Sequence, residues 1–259
     1  MVPGAGGPQQ AEDRPLPPAA TSTRPGIVGW QDAECGAYQA DLALWEALCG
    51  EEDILELGCG SGRVGLHLAR RGHRVTGLDC DRALLAAFRE RADGLRVEVE
   101  PGDARRFQLE REFGVVLAPM QLLQLFAGPA ERLASLRCIA GHLRVGGRAA
   151  LAIVEDSPVA GHGPLFPDVL EIDGWICSSL PIEIRVEGGS ILIRRLRQTI
   201  APGGALLSEE MDEVWLRRLT AAALEQEGVE AGLVPVGREQ IPATDAHIGS
   251  TAVVLERRS

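Results

Sequence analysis

Lysine and asparagine are absent from the 259 residues, and tyrosine occurs once, at Tyr38. Without lysine there is no Schiff-base amine, no phosphate-loop lysine and no kinase lysine, so those chemistries are excluded at the outset. Without asparagine there is no N-glycosylation acceptor. All 26 basic residues are arginines, and 37 acids outweigh them to a formal charge of −11. A surface that neutralises a nucleic-acid backbone is therefore not expected. No run of about 18 apolar residues occurs, so no membrane-spanning helix is expected. The six cysteines (Cys35, Cys49, Cys59, Cys80, Cys138, Cys177) form no C-x-x-C pair and no histidine clusters with them. That excludes a structural zinc site or any other metal site as the simplest reading and points to a reduced, cytoplasmic protein.

What is present is an ordinary globular composition, 45% apolar and 24% charged. Residues 1–26 are rich in Pro, Gly, Ala and Gln, with few large apolar side chains. They are read as a flexible tail without the apolar core of a signal peptide. Beyond them the pattern predicts helices over 37–48, 63–71, 82–92 and 129–143. Strands are predicted over 53–57, 73–78, 95–100, 113–118 and 147–155. This β-α-β rhythm requires parallel strands, right-handed crossovers and helices on both faces of one sheet, so the fold class is α/β, doubly wound.

After Glu155 the period shortens. Segments 181–186, 190–200 and 205–216 alternate apolar and polar residues around glycine turns, which predicts an antiparallel insert. Residues 161–175 read as a loop able to cover a substrate. A helix over 217–227 and strands over 232–236 and 251–256 finish the chain. Four regions follow: tail 1–26, core 27–156, insert 157–216, and 217–259 completing the core sheet.

The densest motif is Glu56-Leu57-Gly58-Cys59-Gly60-Ser61-Gly62-Arg63, between a predicted strand and helix. Glycines there let the backbone approach a ligand, and the helix N-terminus favours an anionic group. Gly60, Gly62 and Gly65 satisfy G-x-G-x-x-G, so an NAD(P)-dependent oxidoreductase is one reading. Three acids favour another. Glu56 would repel a pyrophosphate but suits an ammonium. Asp79, ending the second strand, can accept both hydroxyls of a ribose. Asp103, in Gly102-Asp103-Ala104-Arg105, follows the third strand.

With Leu143-Arg144-Val145-Gly146-Gly147, these motifs resemble the class I S-adenosylmethionine-dependent methyltransferases over residues 53–154. The resemblance implies a seven-stranded, mostly parallel Rossmann-like sheet with an antiparallel β insert after strand five. S-adenosylmethionine is the implied cofactor and S-adenosylhomocysteine the product. Glu56, Gly58 and Gly60 would line the methionine end, Asp79 the ribose, and Asp103 with Ala104 the adenine, with Gly62 in the same loop and Cys59 and Cys80 as small space-fillers beside the cofactor. An N-terminal helix carrying Tyr38 would cover the site.

Ala118-Pro119-Met120-Gln121 follows the fourth strand, where the family's base-modifying branches carry N/D-P-P-Y/F or Pro-Cys. Neither is present, nor are the acids of the metal-dependent catechol branch. Methyl transfer to nitrogen or oxygen of a small molecule is the implied function, with Met120, Gln121 and Gln124 as pocket walls. The non-catalytic alternative is a module that binds S-adenosylmethionine and turns nothing over. Catalytic candidates lie on loops beyond the strands' carboxyl ends. Asp245 and His247 alternate, so in an extended segment an acid could orient a base, and His162 is a second histidine. The insert resembles the lid or dimer sheet of glycine-type and amino-sugar N-methyltransferases, so a homodimer is a further expectation. Its arginines, Arg185, Arg194, Arg195 and Arg197, read as a solvated face rather than as an anion site.

Overall fold

The computed structural model describes residues 24–155, 165–244 and 248–259. Two helices open it, α1 (Ile27–Cys35) and α2 (Leu42–Cys49). Alternation then begins with β1 (Ile54–Leu57), α3 (Arg63–Arg70), β2 (Val75–Asp79), α4 (Arg82–Arg91) and β3 (Val97–Pro101). It continues through β4 (Phe113–Ala118), a 3-10 turn at Leu122–Leu125, α5 (Pro129–His142) and β5 (Leu143–Ile153). A separate meander follows: β6 (Asp168–Ile172), β7 (Trp175–Glu187), β8 (Ser190–Ile200) and β9 (Leu206–Arg217). The chain closes with α6 (Ala221–Glu230), β10 (Val234–Ile241) and β11 (Ser250–Glu256).

The first sheet has seven strands in the order β10-β11-β5-β4-β1-β2-β3. Strands β1 to β5 are parallel, and β11 pairs antiparallel with β5 and β10. Every residue of β1 and β4 is buried, as a strand covered on both faces requires. One face packs Ile54, Val115 and Leu117 against Trp45 of α2, Leu68 of α3 and Phe88 of α4. The other packs Leu55, Leu57, Val116 and Leu151 against Leu136 and Ile139 of α5 and Leu224 of α6. Order reverses between β1 and β4, which opens a crevice beyond their carboxyl ends.

The second sheet is fully antiparallel, β6-β7-β8-β9. It is longer than expected: residues 168–172 form β6 rather than a loop. Asp173 and Gly174 both have positive φ (51° and 78°), the two-residue hairpin turn that an Asp-Gly pair favours. The overlooked signal was that dipeptide, because β6 is half exposed and lacks strong alternation.

Two helices also begin elsewhere than predicted. The segment over 37–48 starts only at Leu42, because Tyr38–Asp41 form a turn. The last helix begins at Ala221, where the Thr220 hydroxyl accepts from the Ala223 N–H and the Glu155 carboxylate accepts from the Ala221 N–H at 2.7 Å. Residue 217 belongs to β9. Strand β10 covers 234–241 rather than 232–236, and β5 starts at 143 rather than 147. Among the described residues no helix is long and apolar enough to cross a membrane.

Candidate active site

The glycine loop leaves β1 through three left-handed residues, Gly58 (φ 63°), Gly60 (φ 55°) and Gly62 (φ 95°). Each also lies where a Cβ would collide: Gly58 with Leu122 at 2.9 Å, Gly60 with Gln31 at 2.8 Å, Gly62 with the Phe88 ring at 2.3 Å. Gly62 and Gly65 thus permit the packing of α3 on Phe88, while Gly58 and Gly60 let Leu122 and Gln31 lie against the backbone of the turn.

Asp79 closes β2 against this loop. One carboxylate oxygen accepts from the Gly60 N–H at 2.9 Å and the other from the Asp81 N–H at 2.9 Å. A carboxylate has about four acceptor positions, so it retains capacity for a diol. Asp81 in turn caps α4, accepting from Ala83 and Leu84. Cys80 beside it is exposed, and partial burial with the Asp79 charge holds its thiol above the ordinary range. Cys59 is buried beneath the loop, and burial likewise raises its thiol.

Glu56 is 2% exposed, and its Oε2 has no hydrogen-bond partner. Burial pushes its carboxyl up to about 8, outweighing the nearby Arg63. Arg63 is committed elsewhere: its guanidinium forks onto Asp41 with two bonds of 2.7 Å and donates to the Tyr38 carbonyl at 2.8 Å. Tyr38 lies in the turn between α1 and α2, not on a helix, with the Arg63 guanidinium 5.1 Å from its ring. Burial and then Asp41 raise its phenol, and its hydroxyl shares a hydrogen bond with Ser250 at the start of β11.

Asp103 follows β3 in a turn closed by Arg105, whose guanidinium donates to both carboxylate oxygens (2.8–3.1 Å). That arginine holds the Asp103 carboxyl below its usual range. Ala104 is buried next to it. The structure therefore gathers Glu56, Gly58, Cys59, Gly60, Gly62, Asp79, Cys80, Asp103 and Ala104 at the carboxyl ends of β1, β2 and β3.

Beyond β4, Met120 is held at φ 58°, a conformation uncommon for a side chain of its size, and Gln121 is half-buried. Gln124 is fully buried. Its amide donates to the Val154 and Arg217 carbonyls (both 3.0 Å), and its oxygen accepts from the Val154 N–H at 2.8 Å. All its hydrogen bonds go to backbone, so it braces the turn to the end of β5 and the last strand of the meander. Residues Asp245, His247 and His162 lie outside the described residues. Among the described residues no cluster could hold a metal.

Sequence patterning missed α1, whose first residue has no capping side chain. Three of its polar side chains reach outward to separate partners. Gln31 lies on Gly60. Asp32 accepts from the Ser61 hydroxyl at 2.6 Å and is forked by Arg91 of α4. Glu34 receives Arg197 through bonds of 2.7 and 2.9 Å and the Ser179 hydroxyl at 2.8 Å. Arg197 also covers the Trp30 ring, 5.5 Å from its centre, and bonds Asp212 at 2.7 Å. The other three arginines singled out in the meander are also paired: Arg195 with Asp168, Arg194 with Glu183 and Glu213, Arg185 with Glu183 and Glu187. Arg185 and Arg194 fit the solvated-face expectation, whereas Arg195 and Arg197 are largely buried. The one hint of α1 in sequence was the acidic run Asp32 to Glu34 set against arginines with no nearby partners.

Comparison with known proteins follows the same lines. Residues 54–147 match the family described as a methyltransferase domain. A cypemycin N-terminal methyltransferase from Streptomyces sp. is 36% identical over 98 residues, covering 38% of this chain and 40% of that protein. A ubiquinone biosynthesis O-methyltransferase from Aeromonas salmonicida is 32% identical over 111 residues, covering 41% and 45%. The chain spans less than half the length of the curated relatives it matches. The sugar N-methyltransferase KedS8 from Streptoalloteichus sp. superposes with a TM-score of 0.74 at 20% identity, over 98% of this chain and 100% of that one, a likeness of fold. Over residues 54–147 the chain is thus similar to a methyltransferase domain, and the relatives it matches there are methyltransferases.

Proposed function

We propose that this chain transfers the methyl group of S-adenosylmethionine to nitrogen or oxygen of a small-molecule acceptor, with amines the first class to examine. The observation that carries this reading is the gathering of the glycine loop with Glu56, Asp79 and Asp103 at the carboxyl ends of β1 to β3, beside the point where strand order reverses, with α1 tying that loop to the four-stranded sheet. The residues present fit the cofactor on two counts. Gly58 and Gly60 present bare left-handed backbone at the end of β1, covered by the side chains of Leu122 and Gln31, and Glu56 offers a buried oxygen with no partner. The site suits the nicotinamide alternative poorly, since a pyrophosphate would find no free counter-charge beside Glu56: Arg63 is forked onto Asp41.

When bound, S-adenosylmethionine supplies an activated methyl group on a sulfonium sulfur. The work left to this chain is to orient, to exclude water and to take up a proton. Glu56 and the Gly58 and Gly60 backbone hold the methionine end, Asp79 the ribose, and Asp103 with Ala104 the adenine. The Met120–Leu122 turn stands where the acceptor would enter, and Leu122 already rests on Gly58. Asp245 and His247 are proposed as an orienting acid and a base. In sequence they fall between Ile241, which ends β10, and Ser250, which bonds Tyr38. His162 is a second proposed base. The nitrogen preference is supported by KedS8, a sugar N-methyltransferase whose fold runs the length of this chain, second sheet included.

The test is transfer of isotope-labelled methyl from S-adenosylmethionine to a panel of amino sugars, simple amines and hydroxylated aromatics. Labelled product from at least one amine, reduced in His247→Ala, is the expected result. Cofactor binding with no transfer to any acceptor would instead favour a non-catalytic cofactor-binding module.

A further inference from the structure

Glu56 is a carboxyl group in a place that discourages charge. It leaves the strand toward α3, opposite Gly77 of β2, which has no side chain to meet it. It is 2% exposed, and its Oε2 has no partner. A Cβ on Gly65 of α3 would lie 2.7 Å from that oxygen, so the helix leaves it just enough room. The charged and titratable groups facing it from the packed elements are Arg63 of α3, Asp41 ahead of α2, Asp79 ending β2, and the thiols Cys49 and Cys59. Arg63, the cation among them, is forked onto Asp41. Asp41 and Asp79 add negative potential. A backbone hydrogen bond from Gly65 favours the ionised form, but burial outweighs it and the one facing cation is already paired, so the acid stays neutral.

We propose that Glu56 is a proton-exchange site, in which the ligand-free chain holds the protonated acid and cofactor binding expels that proton to solvent as the cofactor's ammonium takes its place. This rests on the cofactor reading above. The charge balance is simple: one cation enters, one proton leaves, and the buried site stays neutral overall. The upward displacement of the carboxyl to about 8 agrees with a protonated acid at neutral pH. Cofactor affinity should then rise with pH across the neutral range, because less proton has to be displaced.

Calorimetric titration of the full chain with S-adenosylhomocysteine at pH 7, in phosphate and in Tris, reads the proton directly from the difference in observed heat. The expected result is release of about one proton per ligand bound. Methylthioadenosine, which shares the nucleoside and lacks the amino-acid end, should bind with no proton released. Glu56→Gln should bind S-adenosylhomocysteine at least tenfold more weakly and release none. Should Glu56→Gln fail to fold, the two ligands on the native chain still decide the matter. Equal proton release with both ligands, or none with S-adenosylhomocysteine, overturns the proposal and leaves the cofactor reading intact. Failure of S-adenosylhomocysteine to bind at all overturns the cofactor reading itself.

Discussion

Asp79 ends β2 and Gln124 sits in the 3-10 turn after β4, and each is bound to backbone, yet they serve different ends. Asp79 fixes the glycine loop through Gly60 and the start of α4 through Asp81. Asp79→Ala should weaken S-adenosylmethionine binding at least tenfold and cost about 1–3 kcal/mol of stability. Isothermal titration and urea unfolding measure the two separately, and unchanged affinity would refute its role. Gln124 binds nothing but backbone, from residues 30 and 93 positions away. Gln124→Leu leaves one buried N–H and two carbonyls without that partner and should cost about 2–4 kcal/mol. A midpoint in urea within error of the native chain would contradict the brace. The contrast marks what was legible in sequence. The glycines, Glu56 and Asp79 could be read because a strand-to-helix turn needs those residue types within a few positions. Gln124 could be seen only as a polar residue near the site, since its partners come from other elements.

At the level of elements, α1 is the connection between the two sheets' territories. Its Asp32 holds Ser61 of the glycine loop, and its Glu34 holds Arg197 of β8. Burial alone would raise the Glu34 carboxyl, but the bonds from Arg197 and Ser179 outweigh it and hold it below its ordinary value. A lowered carboxyl contributes stability that is complete above the unfolded-state value and lost as pH falls through the folded one. The attachment of α1 should therefore be constant between pH 5 and 8 and weaken below about pH 4. Trp30 reports it, since Arg197 covers its ring. The difference in emission between the native chain and Trp30→Phe should change below about pH 4 and stay flat above. In Glu34→Gln the acid-dependent change should vanish, and amide exchange over residues 27–35 should quicken at least tenfold at neutral pH. Exchange as slow as in the native chain would show that the pair does not hold the helix. This element escaped sequence patterning because what fixes it is tertiary: an ion pair spanning 163 positions and a tryptophan under an arginine. Strand β6 escaped for a related reason, being a half-exposed edge whose hairpin turn was its clearest mark.

Across the whole molecule, the seven-stranded sheet was legible because its alternation of strand and helix admits few topologies, and right-handed crossovers remove most of those. The order β10-β11-β5-β4-β1-β2-β3 puts β1 and β4 side by side, so residues distant in sequence share one crevice. The second sheet was legible as antiparallel from its glycine turns, but its contact with α1 was not. The central claim is that this crevice takes S-adenosylmethionine and not a nicotinamide dinucleotide. Parallel calorimetric titrations of the full chain with S-adenosylmethionine and with NADH test it most directly. The account predicts micromolar binding of the first, weakened at least tenfold in Asp79→Ala, and no heat from the second. Binding of NADH alone would contradict it, and would make Gly60, Gly62 and Gly65 the fingerprint that mattered.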